Sequence, residues 1–552
     1  MDQNSVYLPL AALSSLVVFV NALRQRAWGW AVVAVLVLVI AGVGELLFPA
    51  RVGYVAGAVW LVLIAIPMLG QRVSARLANR QKYAAATRLA RILRLFHPTD
   101  GWWDQPSIVH ALALAQAGAH AEAAAVLEGL ERSSPRYARE ARMNRLRLQS
   151  RWEDVLAWLR ENLSPAELVG DAAVILVYLR ALGERGELDE LVTRYRHAEP
   201  VLARAEGGRA VAHLFVFAFT GGAERVASLF RGPLASYSSA LQSFWLATAD
   251  LAAGHHPADR RAPRIVLEDL VARADASIVT SARRRLDDPI ADAATSLSIE
   301  SQVTLERLEK ERDQEDRYGD QAGAFAARAW ATLALMIPMS AMFVVEVLAG
   351  GSDSWLVGGS ESEDVLIRLG AVWPPSVIAG ERWRLGAATL LHYGWIHLVM
   401  NLGGLYIFGP FVERALGRVR FVLVYLLSGV GMMLVAVLVT HFGLEEPQLL
   451  VGASGGIMGL VGATAAVLLR GRRAESSQVA KRRLRLMGFI VLVQACFDLA
   501  TPQVSFMSHL GGVIIGFLVA TMMKHTVKAE TKASYPSRDR RAAPRHRRAC
   551  DG

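Results

Sequence analysis

Runs of apolar residues as long as a bilayer is thick recur along this chain, and they decide its class before any other feature does. A helix crosses the ~30 Å hydrocarbon core with about 20 residues. Nine runs approach or reach that length: 7–22, 28–48, 54–70, 329–350, 386–408, 421–441, 451–469, 486–501 and 504–523. In a chain of 552 residues, a 53% hydrophobic content with positive mean hydropathy exceeds what a soluble core requires. The expected fold class is all-α: a polytopic membrane protein with three spans in residues 1–71, a six-helix core over 329–523 and a soluble helical domain between them.

The formal net charge of +10 could indicate nucleic acid, but the basic residues cluster at 24–26, 72–94, 414–420, 470–485 and 524–548, beside the apolar runs. There they read as topology determinants under the positive-inside rule, so no nucleic-acid partner is expected. Alternating the spans between these clusters puts the N-terminus outside, residues 71–328 inside and the C-terminus inside, with a bacterial inner membrane as the expected location. Arg368, Arg382 and Arg384 fall in an outer loop, against the trend. The first run lacks a basic leader and a small-residue cleavage site, so it reads as a retained anchor. Cys496 in a span and Cys550 in the tail make neither a disulfide framework nor a metal site, the terminal CDG is no prenylation signal, and no cofactor is expected.

The stretch between the third and fourth runs is helical by pattern and carries a repeat. "GAHAEAAAVLEGL" at 118, "SRWEDVLAWL" at 150, "GELDELVTRY" at 186 and "GGAERVASLF" at 221 each set a tight turn before an amphipathic helix, and "GHHPADRRAP" at 254 reads as a degenerate fifth. Separations of 32, 36, 35 and 33 residues fit helix-turn-helix solenoids of tetratricopeptide type, whose concave surface implies a protein partner. The alternative is an irregular helical domain with accidental spacing. Residues 98–260 are assigned to the repeats, 261–328 to a charged helical connector and 524–552 to a basic cytoplasmic tail.

Polar residues inside spans are costly, so each needs a reason. In the last six runs the conspicuous ones are His392, His397 and Asn401 in "LHYGWIHLVMN", Ser454 in "VGASGGIMGL" and His509 in "MSHLGGVIIG". Gly455 and Gly459 form one small-xxx-small pair and Gly512 and Gly516 another, which lets the seventh and ninth spans approach through backbone contact. Such an approach would bring Ser454 within reach of His509, the relation by which a histidine acts as general base toward a serine. Read span by span, both glycine patterns are better explained as packing seams, with the serine bonding a backbone carbonyl. His397 and Asn401, at i and i+4, share a helical face from which both can aim donors at an oxyanion, or simply bond to each other.

"GERWRLGAATLLHYGWIHLVMN", "GASG" and "HLGGVIIG" together resemble the rhomboid family of intramembrane serine proteases: a Trp-Arg loop with an HxxxxHxxxN helix, a nucleophile motif containing Gly452, Ser454 and Gly455, and a histidine helix carrying Gly512 and Gly516. The resemblance implies Ser454 as nucleophile and His509 as general base, with no third carboxylate. It further implies His397 and Asn401 in the oxyanion site, structural roles for Trp383, Arg384 and His392, and other proteins' transmembrane segments as substrates. It covers roughly residues 329–523, leaving the N-terminal spans and the repeats outside. One departure is Met458, standing where some members place an aromatic residue that stacks on the histidine. A noncatalytic rhomboid-like adaptor and a membrane-anchored repeat scaffold are the alternatives.

Overall fold

The computed structural model describes residues 3–25, 27–96, 103–133, 137–205, 207–254, 261–289, 297–319, 329–350, 362–500 and 506–523. Among them the secondary structure is helical, apart from one isolated antiparallel bridge between Val372 and Leu450. The chain divides into two compact units, residues 1–306 and 307–531.

The first unit opens with three apolar helices, α1 (Gln3–Gln25), α2 (Trp28–Leu47) and α3 (Val52–Asn79). Ala11, Ala41 and Ala56 let them close on Val37 and Ile64, while Leu13, Val32 and Leu46 stand 63%, 67% and 85% exposed. A helix that is apolar on every side suits lipid, where the outward face has no water to avoid.

Helices continue from Tyr83 to Asp287, and a recurring turn spaces them. Gly118, Ser150, Gly186, Gly221 and Gly254 all have positive φ, between +53° and +87°. At the first four, the following residue donates its N–H back to the preceding helix: Ala119 to Leu114, Arg151 to Leu146, Glu187 to Leu182 and Gly222 to Phe217. This is a left-handed helix end, and glycine makes it without a Cβ penalty. The four quoted motifs thus begin His120–Ser133, Trp152–Asn162, Leu188–Leu202 and Ala223–Arg231. Most of the fifth motif lies outside the described residues.

The second unit is built on α4 (Trp330–Ala349), α5 (Gly394–Leu416), α6 (Arg418–His441), α7 (Ser454–Glu475), α8 (Gln478–Ala500) and α9 (Phe506–Met522). Glycine-rich α7 is central and mostly buried, packing on α5, α6, α8 and α9. Glu413 of α5 fastens the start of α4, accepting from the Thr332 N–H and hydroxyl at 2.8 Å each and from the Ala331 N–H at 3.1 Å. These first-turn amides have no acceptor within their own helix.

The nine expected spans need adjusting. Seven helices among the described residues are long and apolar enough to cross a membrane; α9, at 17 residues, is shorter. α8 is not one of the seven, and Lys481, Arg482, Arg483 and Arg485 fill its opening turns. The fifth span was expected from 386, yet α5 starts at Gly394, after a short turn Arg384–Ala387, a 3-10 turn Ala388–Leu390 and extended Leu391. His392 therefore precedes the helix instead of lying in it. Residues 351–361, the first part of the outer loop that carries Arg368, Arg382 and Arg384, and the tail from 524 lie outside the described residues.

Candidate active site

Three helices of the second unit start at one site. Ser454 opens α7, while His509 and His397 lie in the first turns of α9 and α5. The chain reaches Ser454 through Gly452, whose φ of +120° ends any continuation of the preceding segment. An added Cβ at Gly452 would sit 2.8 Å from His397 Cε1, 2.9 Å from its Nε2 and 3.5 Å from Asn401 Nδ2. Only glycine fits there, on conformation and on space.

α7 and α9 meet backbone to backbone. A Cβ at Gly512 would fall 2.6 Å from the Gly455 carbonyl oxygen, and one at Gly516 would fall 2.0 Å from that of Gly459. At the end of this seam His509 Nε2 lies 2.9 Å from Ser454 Oγ. The seam is continuous with Gly462, where a Cβ would meet the Val513 carbonyl at 2.0 Å.

His397 and Asn401 face the turn that leads to Ser454. The Tyr393 N–H donates to His397 Nδ1 at 3.3 Å, which assigns the ring proton to Nε2, the nitrogen turned toward Gly452. Asn401 is 6% exposed, and its Nδ2 has no hydrogen-bond partner among the described residues. A buried orphan amide costs roughly 1–3 kcal/mol, which suits a donor awaiting an oxygen. The first-turn amides of α7, Ser454 N–H included, have no acceptor within the helix.

The remaining expected residues frame the site instead of entering it. Arg384 donates to the carbonyls of Ile367 at 2.6 Å and Ala371 at 3.2 Å, and pairs with Glu381. Its guanidinium lies 4.9 Å from the Trp383 ring centroid, and that ring fills the space a side chain at Gly370 would need. Fully buried His392 takes its backbone bond from α4, donating its N–H to Glu346 at 3.0 Å, and its ring stands edge-on to His397 at 5.4 Å.

The expectation that no carboxylate stands behind the histidine is corrected. Asp498 Oδ2 of α8 is 2.9 Å from His509 Nδ1, and Gln494 Nε2 donates to Asp498 Oδ1 at 2.8 Å. Sequence reasoning missed Asp498, Gln494 and Glu346. The signal was present, since each is a polar residue within an apolar run, the same criterion that singled out Ser454. Among the described residues no cluster of His, Cys, Asp and Glu could hold a metal ion.

Comparison with known proteins covers the stretch that holds Ser454 and His509. A profile of the Rhomboid domain matches residues 379–526. The chain is 34% identical over 179 residues to a putative rhomboid protease, YdcA, of Bacillus subtilis (strain 168), covering 32% of this chain and 86% of that protein. It is 35% identical over 163 residues to RHOMBOID-like protein 6, mitochondrial, of Arabidopsis thaliana, covering 29% of this chain and 50% of that protein. It is 32% identical over 170 residues to rhomboid protease GluP of the same Bacillus, covering 30% and 31%. The matched region thus spans most of YdcA, half of the plant protein and under a third of GluP.

Proposed function

Because this chain belongs to the rhomboid family, we propose that it is an intramembrane serine endopeptidase, cutting transmembrane segments of other membrane proteins with Ser454 as nucleophile and His509 as general base. The observation that carries this reading is the 2.9 Å contact between Ser454 Oγ and His509 Nε2, beside a buried amide of Asn401 that has no acceptor among the described residues.

In this mechanism a substrate helix reaches the site from the lipid and its end unwinds to expose a peptide carbonyl. Ser454 Oγ attacks the carbonyl carbon while its proton passes to His509 Nε2, and the carbonyl π pair moves onto oxygen. Asn401 Nδ2, His397 Nε2–H and the Ser454 N–H receive that oxyanion; one such donor typically contributes about 3–4 kcal/mol to the transition state. His509 returns the proton to the leaving amine. A water, deprotonated in turn by His509, then hydrolyses the acyl-enzyme. The orientation expected from the basic clusters, with the N-terminus outside and the repeats and C-terminus cytoplasmic, puts this chemistry near the outer face.

The repeats, read as tetratricopeptide-like, serve in this account to recruit or regulate through a protein partner. Their support is the recurrence of one turn geometry at 118, 150, 186 and 221.

Labelling of the purified, detergent-solubilised protein by a fluorophosphonate tests the proposal. Wild type is expected to label, and Ser454→Ala and His509→Ala are not. An unlabelled wild type, under conditions where another rhomboid protease reacts, would sink the enzyme reading and favour the adaptor.

A further inference from the structure

A carboxylate in an apolar helix is costly to keep unless it is paired. The Asp498 side chain is 1% exposed on α8, and the groups that meet it are an amide and an imidazole. Its Oδ1 receives the Gln494 Nε2 hydrogen from one helical turn earlier, and its Oδ2 faces His509 Nδ1 at 2.9 Å. The same imidazole meets Ser454 Oγ at 2.9 Å through its other nitrogen. Gln494, Asp498, His509 and Ser454 therefore form one continuous line of hydrogen bonds across three helices.

Gln494 Nε2 also lies 3.5 Å from His509 Nδ1, at the limit of a hydrogen bond, so the 2.9 Å contact with Asp498 Oδ2 decides the assignment. An ionised carboxylate only accepts, so His509 Nδ1 must carry the hydrogen. A neutral imidazole has a single N–H, so Nε2 is left with its lone pair toward the Ser454 hydroxyl. That is the tautomer able to take the hydroxyl proton; the other would present an N–H to Ser454 and could take nothing. Rotation of the ring is restrained as well, since it is held at both nitrogens.

We propose that Asp498 is the positioning residue of this site: it fixes the tautomer and orientation of His509 through Nδ1–H, and Gln494 holds Asp498 in place to do so. This rests on the serine-protease reading above. In the step concerned, the Ser454 O–H bond breaks, the Oγ–C bond forms and the proton moves to His509 Nε2. Asp498 takes no proton; its negative charge stays beside the imidazolium that forms.

The test uses the full-length protein in detergent, with Asp498→Asn, Asp498→Glu, Gln494→Ala and Ser454→Ala beside wild type. Two quantities are read: the second-order rate of fluorophosphonate labelling, and kcat and KM on a reporter transmembrane substrate. Asp498→Asn keeps size and a hydrogen bond but offers an amide that can fix the wrong tautomer. It is expected to lower kcat and the labelling rate by about 10²–10⁴-fold, a range reaching the loss known when a triad aspartate becomes asparagine. KM is expected to change little, and the melting temperature in detergent to stay near wild type. Asp498→Glu should recover most of the lost rate, because it restores an acceptor, and Gln494→Ala should show a smaller loss in kcat alone.

A residue needed only for packing would tolerate the isosteric asparagine at full kcat. Wild-type kcat and labelling in Asp498→Asn, with Ser454→Ala unlabelled, would overturn the positioning role and leave the protease reading intact. Substrate cleavage by Ser454→Ala would overturn the protease reading itself. If Asp498→Asn fails to fold, Gln494→Ala decides. In Gln494→Ala, parallel loss of kcat and labelling at constant KM supports the proposal, and wild-type behaviour rejects it.

Discussion

The amide of Asn401 and the missing side chain of Gly452 are two sides of one contact, and each makes a prediction. Asn401→Ala removes a donor but leaves the Ser454–His509 pair, so kcat on a transmembrane substrate should fall about 10²–10³-fold with KM nearly unchanged. Loss in KM alone would assign Asn401 to ground-state binding. Gly452→Ala puts a Cβ 2.8 Å from His397 Cε1 at a φ of +120°. It should lower fluorophosphonate labelling sharply, because it strains the backbone two residues before Ser454 and displaces the His397 ring. His397 and Asn401 were legible in the sequence through their i, i+4 spacing, which is local to one helix. Asp498 was legible as a polar residue in an apolar run, but its partner was not. His509 lies 11 residues away across a segment whose path no periodicity specifies.

Between helices, the α7–α9 seam carries the geometry that the site depends on. Gly516→Ala would press a methyl group to 2.0 Å from the Gly459 carbonyl oxygen, whereas an added Cβ at Gly488 of α8 has nothing within 4 Å. Thermal unfolding in detergent should therefore drop clearly for Gly516→Ala and hardly at all for Gly488→Ala; equal melting temperatures would mean the helices separate without cost. In the first unit, the Ser301 hydroxyl, then the Ser298 N–H, hold the Asp189 carboxyl below its usual range. A lowered folded value means the contribution is present above the ordinary carboxylate range and fades as pH falls through the lowered one. Helical content followed from pH 7 toward acid should show Asp189→Asn losing less stability than wild type, and parallel curves would remove this carboxylate from the acid response. The helices themselves were largely legible, since apolar length and turn residues are local properties. The start of α5 was not, because Gly394 at a φ of +76° and the turns before it interrupt a run that hydropathy alone reads as continuous.

At the scale of the molecule, the units divide at residues 306 and 307, within the helix Ile299–Tyr318. Each has its own core: Leu405, Val412, Phe421 and Leu460 belong to that of the second unit, while Leu127, Leu159 and Tyr195 are fully buried in the first. A chain beginning at residue 297 should therefore still label at Ser454 in detergent, at a rate close to that of the full chain. Complete loss of labelling in a folded truncation would show that the first unit completes the site and does not serve recruitment alone.

What the sequence determined by itself is what short-range physics can encode. Apolar runs set the class and most of the spans, small residues marked α7 and α9 as able to touch, and turn residues at 118, 150, 186 and 221 marked helix boundaries that the fold places there. What only the tertiary structure decided is which polar atoms meet. Ser454 and His509 are 55 residues apart, and their 2.9 Å contact depends on the rotation and depth of two helices whose closeness is set by carbonyls lying against glycines. Asp498 enters from a third helix whose own pattern is dominated by charge at one end. Hydropathy and period describe how each helix faces its surroundings; a hydrogen bond between helices is a property of their packing, and no single helix contains it.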